Sequence, residues 1–153
     1  KYFNKRINYE LVIIWRGILK KKLENFIISN NLKSKVRLIN FVNNPYTYIK
    51  QADLFILTSK FEGLPNVLLE ALVLNKFIIS SNCRTGPKEI LLNGNGGLLF
   101  KVGNYKDLAK KLNYYSKNKK KCQRLLKNAI QNLDRFDYYK NLNKYYNLVK
   151  SVG

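Results

Sequence analysis

Ser59–Ala71, SKFEGLPNVLLEA, is the stretch of this 153-residue sequence with the clearest structural pattern. It follows the apolar run Asp53–Thr58 (DLFILT), which predicts a buried β-strand. Gly63 permits a tight turn, and Pro65 is expected to open a helix, where its missing N–H leaves no hydrogen bond unmade. The succession of strand, turn and helix indicates an α/β protein, and the turn lies where such proteins bind ligands.

Two features of the predicted helix suit an anionic or polar ligand. The backbone N–H groups of Asn66 and Val67 are predicted donors at the positive end of the helix, a place that binds phosphate. Glu70 interrupts an otherwise apolar helix, so its carboxylate needs a partner or a wet cleft. It could accept the two hydroxyls of a ribose, at about 1.5–3 kcal/mol for each hydrogen bond. A solvated stripe or an ion pair with a lysine explains Glu70 equally well.

Strands and helices alternate as far as residue 100, which predicts a Rossmann-like parallel sheet with helices on both faces. Residues 1–9 are expected to be irregular. The predicted strands are Glu10–Ile14, Val36–Ile39, Asp53–Thr58, Phe77–Ser80 and Leu98–Phe100, with helices at Leu19–Ser29, at Asn44–Lys50, from Pro65 and from Pro87. The loops expected at the ligand-binding edge of the sheet are Trp15–Gly17, Asn40–Asn44, Ser59–Pro65 and Ser81–Pro87.

Three more helices are predicted after the alternation ends. One begins with a capping pair, Asn104 and Asp107, and the next opens in the basic run Lys117–Lys121. The last is expected at Asp137–Val149, with Leu142, Tyr145, Tyr146 and Val149 as candidate core residues.

The composition limits the possible chemistry. The sequence has 29 basic and 9 acidic residues, a formal net charge of +20, and no histidine, which excludes Ser-His or Cys-His catalysis within it. The charge is compatible with nucleic acid, an anionic membrane or an anionic substrate, and also with a genome rich in A/T codons. Two cysteines without a C-x-x-C pair favour a reducing cytoplasm. The sequence contains no Met, and we expect it to be part of a longer protein.

The segment from Glu62 to Ala71 also resembles a known signature, E-x7-E, of the retaining glycosyltransferases of family 4, which have the GT-B fold. Ser81–Leu92 (SNCRTGPKEILL) and Asn93–Phe100 (NGNGGLLF) are similar to the segments that follow in that family. The resemblance covers Tyr9 to Leu112 and implies the C-terminal, donor-binding half of a GT-B fold.

The resemblance also implies roles for individual residues. It implies that Glu62 is the catalytic residue, which contacts the donor sugar, and that Glu70 binds the ribose. The residues implied to bind the sugar and phosphate are Gly63, Leu64, Asn66 and Val67, and those of the nucleotide loop are Trp15, Gly17, Asn40 and Val42. The expected donor is linked to UDP or GDP. No cofactor and no obligatory metal are expected, and the sequence has no D-x-D metal motif.

The sequence departs from the family at two loop positions. Trp15 and Asn40 stand where the family often has glycine, and an indole at position 15 is expected to narrow the nucleotide cleft. Asparagine tolerates left-handed backbone, so Asn40 is a milder change. The resemblance implies that the family's first strand, and the Arg and Lys that grip the diphosphate, would precede the start of this chain. We therefore expect residues 1–153 to be a single partial domain, inactive alone, with 104–153 as its C-terminal helices.

The leading hypothesis is the donor half of a hexosyltransferase of bacterial surface polysaccharide, lipopolysaccharide or glycolipid synthesis. Its expected partners are a nucleotide-sugar, a missing N-terminal acceptor domain and an anionic membrane surface, and no specific nucleic acid. Its expected location is the cytoplasm, peripheral at the inner face of the membrane. The alternatives are a basic nucleic-acid-binding domain, for which no recognised motif is present, and a non-transferase GT-B relative such as a sugar-nucleotide epimerase.

Overall fold

The computed structural model describes residues 8–152, apart from the side chain of Trp15, so that residues 1–7 and their expected irregular conformation lie outside it. Within this range the elements follow the predicted order, and every predicted strand is present with its ends shifted by no more than one residue. The elements are β1 (Leu11–Trp15), α1 (Lys20–Ser29), β2 (Val36–Asn40), α2 (Tyr46–Gln51), β3 (Leu54–Leu57), α3 (Asn66–Val73), β4 (Phe77–Ser81), α4 (Pro87–Ile90), β5 (Leu98–Phe100), α5 (Tyr105–Lys117), α6 (Lys119–Gln131) and α7 (Tyr138–Val152).

The paired strands are parallel, as their alternation with helices predicts. β1 pairs with β2 from Leu11 opposite Val36 to Trp15 opposite Asn40, and β4 lies between β3 and β5. Among the described strands this makes two sheets, β1–β2 and β3–β4–β5, because no backbone hydrogen bonds join β1 or β2 to the other three. The division differs from the single sheet that the sequence predicts, and the missing first strand stays a prediction.

The core lies on both faces of the β3–β4–β5 sheet. Successive side chains of a strand point to opposite faces, and all five residues of β4 are buried. Ile78 belongs to a cluster with Leu68 and Leu72 of α3, whereas Ile79 belongs to a second cluster with Cys122 of α6. The prediction of helices on both faces is therefore confirmed for this sheet, and burial on both faces explains why β4 is apolar from Phe77 to Ile79.

The capping pattern predicted for α5 is also confirmed. The side-chain oxygen of Asn104 accepts a hydrogen bond from the Asp107 N–H at 3.0 Å. The Asp107 carboxylate in turn accepts one from the backbone N–H of Lys101 at 2.9 Å. These two bonds fix the start of α5 and the short loop that joins it to β5.

The core prediction for α7 is wrong. Leu142, Tyr145, Tyr146 and Val149 are exposed by 48%, 70%, 58% and 72%, and no residue of this helix is buried. Helical spacing identified an apolar stripe, but within residues 8–152 no element covers it. Over the same range no helix is both long enough and apolar enough to traverse a lipid bilayer.

Candidate functional site

The loop between β3 and α3 carries the first acidic candidate, Glu62. This residue is half-buried, whereas its neighbours Phe61 and Leu64 are exposed. Pro65 is buried with φ −74° and ψ 96°, so the helix begins at Asn66 and Pro65 is its N-cap. The helix start therefore lies one residue later than predicted. The loop leaves the carboxyl end of β3, the edge at which open α/β sheets bind ligands.

The last residue of β4 and the loop between β4 and α4 hold the first loop in place. The Ser81 hydroxyl donates to the Ser59 carbonyl at 2.6 Å, and the Thr85 hydroxyl donates to the Glu62 carbonyl. Gly86 has φ +78°, and a Cβ atom on it would overlap the carbonyl oxygen of Gly63. Position 86 therefore requires glycine for two reasons, its left-handed backbone and the close approach of the neighbouring loop.

The first turn of α3 presents unpaired backbone donors. The Leu68 N–H donates to the Pro65 carbonyl at 2.9 Å, whereas the N–H groups of Asn66 and Val67 meet no acceptor in the described part of the chain. No acidic residue occupies this turn, and no side chain caps it. Free donors and the positive end of the helix dipole coincide here, which is the arrangement that binds anions.

Glu70 lies on the outward stripe of α3. Asn66, Glu70 and Val73 share one face by their spacing, opposite the buried Leu68 and Leu72. Glu70 is half-buried, and its carboxylate has no hydrogen bond or ion pair with another described residue. The lysine ion pair, one of the simpler explanations of this residue, is therefore absent over residues 8–152. A solvated stripe and an acceptor of ligand hydroxyls both agree with this geometry.

The four residues predicted for the nucleotide loop lie at the ends of β1 and β2 or in the loops that follow these strands. Trp15 is the last residue of β1 rather than part of a turn, and it pairs with Asn40 at the end of β2. Asn40 has extended backbone, and its side-chain oxygen accepts a hydrogen bond from Nζ of Lys20 at 2.8 Å. Gly17 lies in the turn after β1, and Val42 is half-buried in the loop after β2. Glycine is therefore not required at position 40 by backbone conformation.

The sequence reasoning did not single out Ser81 and Thr85. It identified Ser81–Pro87 as a loop at the ligand-binding edge and Ser81–Leu92 as a segment that resembles the family. The available signal was that this loop follows β4, the neighbour of β3, so both loops emerge at one edge of the sheet. Their hydrogen bonds could not be read from spacing alone. No group of three His, Cys, Asp or Glu residues able to hold a metal ion occurs between residues 8 and 152.

The sequence matches a protein family over most of its length. The model of the family described as glycosyl transferases group 1 matches residues 1–132. The chain therefore belongs to this family.

Several curated relatives are transferases of bacterial glycans. A Campylobacter jejuni 4-alpha-N-acetylgalactosaminyltransferase named for a diphospho-undecaprenol substrate is 36% identical over 103 residues, covering 67% of this chain and 28% of the relative. The lipopolysaccharide 1,6-galactosyltransferase of Salmonella typhimurium is 34% identical over 140 residues, covering 88% of this chain and 39% of the relative. The chain thus spans less than two fifths of the length of these two relatives.

Solved structures show the same fold at low sequence identity. Anabaena HepE in complex with UDP has a TM-score of 0.83 at 21% identity, covering 94% of this chain and 41% of that one. The C-terminal domain of the Francisella tularensis group 1 glycosyl transferase LpcC has a TM-score of 0.73 at 21% identity, covering 88% and 72%. The α/β architecture with parallel strands and flanking helices is therefore that of a GT-B glycosyltransferase domain.

Proposed function

We propose that this chain is the donor-binding domain of a hexosyltransferase, which transfers a sugar from a nucleotide-sugar to a glycan or lipid-linked acceptor with retention of configuration. The observation that carries the proposal is the arrangement of Glu62, the free amides of α3 and the unpaired Glu70 on one loop and helix at the edge of the β3–β4–β5 sheet. Family membership and the UDP complex of HepE support it.

Each group then has a distinct task. The Asn66 and Val67 amides stabilise the diphosphate that leaves, since fixed donors act strongly on charge that develops during bond breaking. Glu70 lies about 6 Å further along the helix axis and accepts the ribose hydroxyls. Glu62, in the preceding loop, meets the donor sugar. The nucleotide passes the loops that follow β1 and β2, at Gly17 and Val42.

A thermal-shift titration of the full-length protein with UDP, GDP and ADP tests this function. A nucleotide held at 100 times its dissociation constant should stabilise the protein by about 2.7 kcal/mol. Glu70→Gln removes the charged acceptor and should weaken that nucleotide at least about tenfold. Val73→Ala lies on the same outward stripe and is the matched control, with unchanged affinity expected. Absence of a shift with all three nucleotides, in a protein shown to be folded, would contradict the proposal.

We further propose a cytoplasmic protein that docks at the inner face of the membrane, where lipid-linked acceptors are presented. The net charge of +20 and the lipid-linked or lipopolysaccharide substrates in the relatives' names support this. Sedimentation with vesicles containing phosphatidylglycerol, against phosphatidylcholine vesicles as control, should show binding to the anionic vesicles at physiological salt. Equal binding to both, or to neither, would contradict docking by charge.

The isolated 153 residues should not transfer sugar, because the relatives named as transferases are much longer chains. A radiolabelled-sugar transfer assay comparing this segment with the full-length protein measures the difference. Steady transfer by the segment alone would contradict the expectation.

A further inference from the structure

The loop that carries Glu62 is tethered at two points. The Ser81 hydroxyl binds the Ser59 carbonyl, and the Thr85 hydroxyl binds the Glu62 carbonyl. Lys60 and Phe61, between the two tethers, are exposed. Two hydroxyl groups, one from the last residue of β4 and one from the loop that follows it, therefore hold the backbone of this segment at the sheet edge.

The tether at Thr85 has the more direct geometry. It fixes the carbonyl of Glu62 itself, and with it the peptide plane between Glu62 and Gly63. The adjacent Gly86 sits against the Gly63 carbonyl and Pro65, so the two loops also touch beyond the hydrogen bond. Because Thr85 is exposed, its hydroxyl contributes little to the core, and its removal should affect the loop more than the fold.

We infer that Thr85 and Ser81 are positioning residues, whose hydroxyls hold the Glu62 loop so that it can receive the sugar of the donor. The inference rests on the proposed function and extends it to a loop outside the E-x7-E segment. Thr85 acts through Glu62, whereas the diphosphate and ribose are held by α3. The sugar-dependent part of donor affinity should therefore depend on Thr85, and the nucleotide part should not.

The test measures the affinities of the full-length protein for UDP-glucose and for UDP. If the titration above selects guanosine, GDP-mannose and GDP take their place. Thr85→Val keeps the shape of the side chain and removes its hydroxyl, so it should weaken the nucleotide-sugar about three- to tenfold and the nucleotide alone less than about twofold. Thr85→Ser should restore the wild-type difference. Ser81→Ala should act in the same direction. A merely structural role would weaken both ligands equally, together with a lower melting temperature, and that result would overturn the inference.

Ser80→Ala provides the matched control. Ser80 is buried on the same strand as Ser81, but its hydroxyl donates to the Ser81 carbonyl at 3.1 Å and not to the Glu62 loop. Tryptic cleavage after the exposed Lys60, followed at this one bond by mass spectrometry, should accelerate in Thr85→Val and Ser81→Ala and stay unchanged in Ser80→Ala. Unchanged cleavage in Thr85→Val would overturn the tether itself, whatever the protein binds. Faster cleavage in a protein that folds normally but binds no nucleotide would instead overturn the donor role and the proposed function together.

Discussion

Helices α3 and α7 both carry an apolar stripe, but only the stripe of α3 is buried. In α3 the stripe of Leu68, Ala71 and Leu72 is fully covered by the core around β4. In α7 the stripe that contains Leu142 and Val149 is exposed throughout. The comparison shows that an amphipathic pattern predicts that a helix has a face to bury but does not identify the surface that buries it.

The largest expected difference between α3 and α7 is the loss of stability when a leucine of the apolar stripe is shortened. Leu68→Ala should lower the free energy of unfolding by about 2–5 kcal/mol, because it opens a cavity in a fully buried cluster. Leu142→Ala should change it by less than about 0.5 kcal/mol. Urea denaturation of the full-length protein measures both. A loss at Leu142 as large as that at Leu68 would mean that a segment outside residues 8–152 covers α7.

The next largest effect on stability is expected at Gly86, which contacts the loop that precedes α3. Gly86→Ala should destabilise the protein by roughly 1–3 kcal/mol, since the new Cβ meets backbone at a residue with φ +78°. Gly63→Ala is the control, because no atom lies within 4 Å of a Cβ built there. Equal stability losses for the two variants would show that the contact between the two loops is not tight.

The N-terminal caps of α5 and α7 should contribute differently to global stability, because no residue of α7 is buried. Asn104→Ala removes the cap of α5 and should lower global stability by about 1 kcal/mol. Asp137 accepts a similar hydrogen bond, 2.8 Å long, from the Lys140 N–H at the start of α7. Asp137→Ala should leave global stability unchanged and accelerate amide exchange in α7 only, because an unpacked helix can unfold locally. Protection lost throughout the protein would contradict this.

The smallest expected effects concern titrating groups. Burial raises the pKa of the Cys122 thiol above its ordinary value of 9.0, although Lys119 lowers it in part. The unfolded thiol therefore ionises first, so the stability due to this group is complete below the ordinary thiol pKa and is lost as the pH rises through the folded pKa. From pH 8 to pH 10, the urea midpoint should fall more in the wild type than in Cys122→Ala. An equal fall would contradict the prediction.

The ion pair of Asp134 and Lys140, at the start of α7, is exposed, in contrast to the buried Cys122 thiol. The hydrogen bond and charge of Lys140 lower the pKa of the Asp134 carboxyl. The pair therefore stabilises the folded state above the ordinary carboxyl pKa, and this stabilisation is lost as the pH falls through the lowered pKa. Both side chains lie in solvent, so salt should screen the effect. Between pH 5 and pH 3 at physiological salt, Asp134→Asn should therefore follow the wild-type curve. A different slope would show that the pair is shielded from solvent in the full-length protein.

Local pattern was sufficient to predict most of the elements. Apolar runs between turn residues placed all five described strands, and the Asn104–Asp107 spacing placed the cap of α5. The errors fall where long-range contacts decide. The exposure of α7 depends on a partner surface, and the separation of β1–β2 from β3–β4–β5 depends on hydrogen bonds between distant segments.

The candidate site was predictable to a similar extent. Glu62 and Glu70 stood out as carboxylates in a largely apolar and basic sequence, and the amides of Asn66 and Val67 followed from the predicted helix start. Ser81 and Thr85 did not stand out, because hydroxyl residues are common in loops and their acceptors lie more than twenty positions away. Backbone conformation also showed that Asn40 is extended, so that replacing the family's glycine there introduces no strain.

The sequence by itself therefore determined the parallel α/β character of the protein and the strand–turn–helix segment that carries its acidic candidates, since hydrophobic period and turn chemistry are local properties. The tertiary structure alone decided which residues support that segment, and that within residues 8–152 the apolar stripe of α7 stays exposed. Hydrogen bonds such as those of Ser81 and Thr85, and the close approach at Gly86, exist only when strands distant in the chain lie side by side.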